Sequence, residues 1–257
     1  SWSSTAASAR SGFEAVGGID ERQLLAKPVL VGKDHLPGVI GSKPVHLTSP
    51  AERAKVTPLG QLRIDLSPGC AGKASVGDYA TFATRFWRSG DSLFGKALDD
   101  RLGVATLIEL ARLNPGTAEV LFAFTVQEEL GLRGARVAAY DFEPDMAFVV
   151  DSTPAFDLPL DESEDENVLY NCRLGAGPAI YLADAGTISD PRLIQFLTRI
   201  AEDCGIPYQF RQPGGGGTDA GAIHITRGGV PSVSVSVPGR YAHSPILHAR
   251  LSDWKNT

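Results

Sequence analysis

Thr125-Val126-Gln127-Glu128-Glu129-Leu130-Gly131-Leu132-Arg133-Gly134-Ala135 sets two adjacent carboxylates at the end of an apolar run, Leu121-Phe122-Ala123-Phe124-Thr125-Val126. The β-branched and aromatic content of that run predicts a buried strand, and Leu130-Gly131 predicts the turn that ends it. Glu128 and Glu129 then stand at the carboxyl end of a strand, where ligands bind in open α/β sheets. Two adjacent acids at an apolar rim repel each other and lose hydration, a conflict that a bound cation resolves. A lone Glu-Glu pair is more often two glutamates on a solvated loop, so its meaning depends on what else the chain brings there.

The chain has 257 residues, 43% of them hydrophobic, enough for one large domain or two modest ones with a core that needs no staples. A net charge of -6 and scattered Lys and Arg argue against a nucleic-acid or anionic-membrane partner, which calls for a concentrated basic surface. Cys70, Cys172 and Cys204 are odd in number and far apart, which fits neither a disulfide framework nor a metal knuckle and is consistent with a reducing cytoplasm. No segment approaches the roughly 20 apolar residues of a membrane helix. The first residue is Ser rather than Met, which points to processing or truncation upstream.

Residues 1–11 form a small, polar, low-complexity lead-in. Residues 12–91 carry short strand signals separated by turns: Val29-Leu30-Val31, Gly38-Val39-Ile40-Gly41, Leu62 to Leu66 and Tyr79 to Phe82. One short helix is expected at Pro50, capped by Ser49. This stretch reads as a small β-rich domain. Residues 92–257 alternate strands with helical patterns, which predicts an α/β domain with a mostly parallel sheet flanked by helices. Its helices are expected over Leu102 to Leu113, stopped by Asn114-Pro115-Gly116, and over Pro191 to Cys204; its strands over Met146 to Val150, Pro178 to Leu182, Ile206 to Arg211 and Val233 to Val237.

Asp99 and Asp100 open a helix, Glu128 and Glu129 end one strand, Asp151 ends the next, and His243 follows the last. Hard oxygen donors with an imidazole suit zinc, cobalt or manganese at a hydrolytic centre. Four such places at successive element ends are hard to obtain by chance.

The words Pro37-Gly38-Val39-Ile40-Gly41-Ser42-Lys43-Pro44, Gly95 to Arg101, Thr125 to Ala135, Val150-Asp151-Ser152-Thr153, Gly217 to His224 and His243-Ser244-Pro245 resemble, in order and over nearly the whole chain, the tetrahedral (TET) aminopeptidase and glutamyl aminopeptidase family of two-metal exopeptidases. The resemblance implies that Asp99 bridges two divalent ions, that Glu129 and His243 complete one of them and Asp151 serves the other, and that Glu128 is the general base. It also implies a cis peptide bond between Asp99 and Asp100, peptide substrates, and homo-oligomers, dimers or twelve-subunit shells, assembled through the β-rich insertion. Two departures stand out. The family's first histidine ligand, in a His-Met-Asp-Glu-like word, has no counterpart here, and the chain stops at Thr257 where the family continues into a closing helix.

Gly214-Gly215-Gly216-Gly217 invites comparison with a phosphate loop, but no Lys-Ser/Thr follows, and a flexible substrate-facing loop with Thr218-Asp219 capping a helix is the expectation. The acidic run Asp161 to Glu166 reads as a solvated loop that could favour basic substrates at the entrance. His35, His46 and His224 read as surface, turn or structural histidines, and His248 carries no motif. Two other functions compete with peptide hydrolysis: a non-catalytic assembly protein on a degenerate peptidase scaffold, motivated by the missing histidine, and a glycoside hydrolase, since some family members are labelled endoglucanases. Glycoside chemistry needs only two carboxyls roughly 5 to 9.5 Å apart and no metal, whereas here four acids and a histidine recur. Neither substrate preference nor metal identity is written in the sequence.

Overall fold

The computed structural model describes residues 10–70, 72–113, 116, 118–158 and 171–257. Most of the lead-in, the helix stop at Asn114-Pro115 and the acidic run at 161–166 lie outside the described residues. Two compact units are present, one containing the chain up to Arg85 with His243–Pro245, the other Phe86–Ala242 with Ile246–Thr257.

The first unit is an antiparallel sheet in the order β1-β4-β3-β2-β5, from β1 (Arg10–Ser11), β2 (Pro28–Val31), β3 (Leu36–Gly41), β4 (Arg63–Leu66) and β5 (Ala80–Phe82). Period-two alternation puts Val29 and Val31 of β2 and Ile64 and Leu66 of β4 inside, where they join Leu24, Leu36, Ile40 and Leu62. The short helix α1 (Pro50–Arg53) has the expected cap: Ser49 Oγ accepts from the Glu52 N–H while the Glu52 carboxylate accepts from the Ser49 N–H.

The second unit carries β6 (Trp87–Ser89), β7 (Ser92–Gly95), β8 (Ala147–Pro154), β9 (Ala179–Tyr181), β10 (Gln209–Arg211), β11 (Ser232–Arg240) and β12 (Leu247–Arg250). They form one sheet in the order β10-β9-β11-β12-β7-β6, with β8 also on β11. The expectation of a mostly parallel sheet is corrected. Only β8 with β11 and β9 with β10 run parallel; β9 with β11, β11 with β12, β12 with β7 and β7 with β6 are antiparallel. For two of these four antiparallel pairs the reason is connection length. Gly90-Asp91 turns β6 straight back into β7, and six residues return β11 to β12, too few for the crossover a parallel pair requires.

Helices α2 (Leu98–Leu113), α3 (Arg133–Phe142), α4 (Pro191–Cys204), α5 (Ala220–Ile223) and α6 (Leu251–Asn256) complete the unit. α4 begins where Pro191 follows the Asp190 cap and stops at Gly205, which takes the left-handed conformation at φ 65°. Its Leu193 packs with Ile180 of β9 and Val233 of β11. α2 packs where Leu98 and Leu102 meet Leu93, Val237, Leu247 and Ala249. α6 is held by Asp253, whose carboxylate accepts the N–H groups of Gly175 and Gly177 at 2.7 and 2.9 Å. No helix among the described residues is long and apolar enough to cross a membrane, and all three cysteines are free thiols.

The run Leu121–Val126, read as a buried strand, is not one. It makes no ladder pairing among the described residues, and Leu121, Phe124 and Val126 are 48%, 51% and 68% exposed. Its composition suits a strand, but β propensity is expressed only where a neighbour accepts the backbone and covers the side chains.

Candidate metal centre

Three acids of the second unit converge. Asp99 and Asp100 stand at the start of α2, where Asp99 (φ -86°, ψ 107°) and Asp100 (φ -113°, ψ 52°) leave the helical conformation and the peptide bond between them is cis. Asp151 comes from β8. One carboxylate oxygen from each of Asp99, Asp100 and Asp151 lies within 4.8 Å of the others. Asp151 is inside β8 rather than at its end: Ser152, Thr153 and Pro154 go on pairing with Val237, Pro238 and Gly239, and Asp151 itself stands opposite Ser236. Only 7% of Asp151 is exposed, and its Oδ1 accepts the Ser152 N–H at 2.7 Å.

Glu128 and Glu129 lie on a 3-10 turn, Glu128–Leu130, and not on extended backbone as expected. At about 120° per residue such a turn still sends neighbouring side chains in different directions. The turn is closed into a ring by the Leu132 N–H on Glu128 O at 2.9 Å, the Arg133 N–H on Gln127 O at 3.3 Å and the Gly134 N–H on Val126 O at 2.9 Å. Glycine is required at 134, because a Cβ there would sit 2.5 Å from both the N and the O of Val126. His243 occupies the connection between β11 and β12, at φ 56°.

Asp219 joins the acids from the start of α5. Thr218-Asp219 is expected to cap the helix, and it is Thr218 Oγ1 that accepts from the Ala220 N–H, at 3.3 Å, while the Asp219 side chain makes no capping hydrogen bond. The Asp219 Oδ2 accepts from the Thr125 hydroxyl, while its Oδ1 is buried with no hydrogen-bond partner among the described residues. Asp219 was legible only as part of the word Gly217-Thr218-Asp219-Ala220, an acid after a glycine run, and Asp100 only as a neighbour of Asp99. The histidines outside the centre fulfil the bland reading: His224 Nδ1 lies 2.8 Å from Ala220 O, and His248 stacks on Phe94 and reaches Ser92 Oγ at 3.0 Å.

The electrostatics of this cluster are those of acids crowded together. Burial, with the charges of Asp100, Asp99 and Glu128, holds the Asp151 carboxyl well above the usual range. Burial pushes Asp100 up to about 8, helped by Asp99, Glu128 and Asp219 and opposed by the Gly103 N–H on its Oδ1. Glu128 is pushed up to about 7 by burial first and then by the charges of Glu129, Asp219 and Asp99. Carboxylates so arranged either take up protons or surround a cation, and hard oxygen donors from three separate elements fit a divalent ion.

A sequence model of M42 glutamyl aminopeptidases matches residues 5–257. The lysyl aminopeptidase of Pyrococcus furiosus is 32% identical over 253 residues, which cover 94% of this chain and 70% of that protein. Among solved structures, a TET aminopeptidase from a marine-sediment archaeon, Thaumarchaeota archaeon SCGC AB-539-E09, superposes with a TM-score of 0.88 at 34% identity, over 97% of this chain and 72% of that one. The Pyrococcus horikoshii TET1 peptidase, described as assembling into a tetrahedron or a large octahedral shell, gives a TM-score of 0.80 at 33% identity over 96% and 74%. A mixed α/β fold shared with these aminopeptidases, an acid cluster at its centre and a match over almost every residue place the chain in the M42 glutamyl aminopeptidase family of hydrolases.

Proposed function

We propose that this chain removes residues from the amino termini of peptides at a centre holding two divalent ions, zinc or cobalt before manganese. Asp99, Glu129, His243 and Asp151 would hold the ions, with Asp99 shared between them, Glu129 and His243 serving one and Asp151 the other, and Glu128 would be the general base. The observation that carries this reading is the buried Asp151 facing Asp99 and Asp100, acids that only a cation or protons can reconcile.

Bound ions supply a water of near-neutral pKa and polarise the scissile carbonyl. Glu128 would accept the proton of the attacking water and return it to the leaving amine. Asp99 and Asp151, from two separate elements, would fix the position of the ions. The β-rich stretch 12–91 serves assembly into homo-oligomers, dimers or dodecamers, as the shell described for the TET1 peptidase of Pyrococcus horikoshii suggests by analogy.

Metal analysis and hydrolysis of amino-acyl nitroanilides test the proposal together. Two equivalents of metal per chain and activity lost to EDTA are expected, and Glu128→Gln should keep the metal while turnover falls by several orders of magnitude. Near-normal turnover of Glu128→Gln would refute the base assignment, and chelator-insensitive hydrolysis would refute the metal.

A further inference from the structure

Glu128 sits on a turn with few anchors of its own. It follows the exposed run Leu121–Val126, and Gln127, Gly131 and Leu132 all adopt positive φ angles, so the ring Val126–Gly134 keeps its shape but needs something outside it to fix where it points. Both of its ends meet α5. Before the turn, Thr125 Oγ1 donates to the Asp219 carboxylate across 94 positions of sequence. After it, Leu132 lies against Gly221, where an added Cβ would come 3.3 Å from Leu132 Cδ1. α5 is in turn fastened to the sheet: Thr218 Oγ1 and Ser234 Oγ are 2.7 Å apart and fully buried, and Ser234 belongs to β11, the strand that pairs with the Asp151 strand.

We infer that Asp219 is a positioning residue for the general base, holding the Glu128 turn to α5 through Thr125, and not a ligand of the metal. The inference rests on the assignment of Glu128 above. Its chemical content is one charge-assisted hydrogen bond in a buried setting, where a carboxylate acceptor at 8% exposure has little competition from water. Loss of the donor leaves Asp99 and Asp151 in place but frees the turn that carries Glu128 and its neighbour Glu129, and a misplacement of the order of 1 Å is enough to cost turnover.

The test compares Thr125→Val, Thr125→Ser and Glu128→Gln in the metal-loaded full chain, with amino-acyl nitroanilide as substrate. Thr125→Val should lower kcat about tenfold with KM within about twofold, while Thr125→Ser, which keeps the hydroxyl, should recover most of the loss. A second readout needs no metal: amide hydrogen exchange of residues 127–132 in the metal-free protein should quicken about tenfold in Thr125→Val and stay at the parent rate in Thr125→Ser. If Thr125→Val does not fold, Asp219→Ala carries the test, since it removes the acceptor and should behave as Thr125→Val was expected to. A kcat within twofold of the parent in Thr125→Val, beside an inactive Glu128→Gln, overturns the clasp and leaves the base standing. Metal lost in Asp219→Ala but kept in Thr125→Val overturns it too, by making Asp219 part of the metal site. An active Glu128→Gln removes the base assignment, and the clasp falls with it.

Discussion

Leu121–Val126 and Ala147–Pro154 are two apolar, β-branched runs that each deliver carboxylates to the same centre, yet only the second is a strand. β8 pairs with β11 over eight consecutive positions, buries Val149 and Asp151, and is fixed in register by its neighbour. Leu121–Val126 pairs with nothing among the described residues and exposes half or more of its large side chains. The difference teaches that a strand is a property of two segments. Propensity nominates a run, and a ladder partner decides it. It also divides the labour at the centre, with Asp151 set by the sheet and Glu128 set by a hydrogen-bonded ring and α5.

Four changes would sharpen or break this contrast. The largest effect is expected from Asp151→Asn, which keeps the shape of β8 and removes its charge. Turnover should fall by more than the roughly 100-fold typical of a lost supporting contact, with metal content reduced and circular dichroism unchanged. Full activity with full metal would mean that the sheet-borne acid is dispensable. Next is Val233→Ala on β11, fully buried against β9 and α4, which should cost about 2 kcal/mol in a urea titration through the cavity it leaves.

A smaller effect concerns pH. Asp157, just beyond β8, is pushed up by burial, but hydrogen bonds from Arg240 at the end of β11 and from the Leu174 N–H, with the guanidinium charge, outweigh that and leave its carboxyl below the usual range. A depressed carboxyl stabilises the fold above its unfolded pKa and loses that contribution as pH falls through its folded one. The Arg240→Met variant should therefore be less stable than the parent at neutral pH, with the gap closing below about pH 4. A gap that stays constant with pH would show that Arg240 acts through packing alone.

The smallest effect belongs to Phe124→Ala, expected to shift stability by no more than about 0.5 kcal/mol because the ring is half exposed. If it costs as much as Val233→Ala, Leu121–Val126 is buried in solution and the contrast between the two runs disappears.

Much of this was legible in the sequence, for reasons that can be named. The bounds of α4 follow from Asp190-Pro191 and Gly205, and the cap of α1 from Ser49-Pro50, because those signals are local and chemical. Asp99, Glu128, Glu129, Asp151 and His243 could be nominated as donors because acids and a histidine were grouped in family-like words. What the letters did not carry was direction and partnership. Strand polarity depends on how short a connection is in three dimensions, which is why a mostly parallel sheet was expected and a mixed one found. Asp219 escaped notice as a member of the centre because its link to Thr125 spans 94 residues and leaves no periodic trace.

The pairing of Asp151 with Ser236 has a further consequence. Side chains on a strand alternate between faces, so the acid's aim is set by parity: a slip of one position between β8 and β11 would turn it away from the cluster, whereas a slip of two would restore its face and only move it along the sheet. An odd insertion close to Ala147 is thus a graver injury to this centre than an even one twice its size.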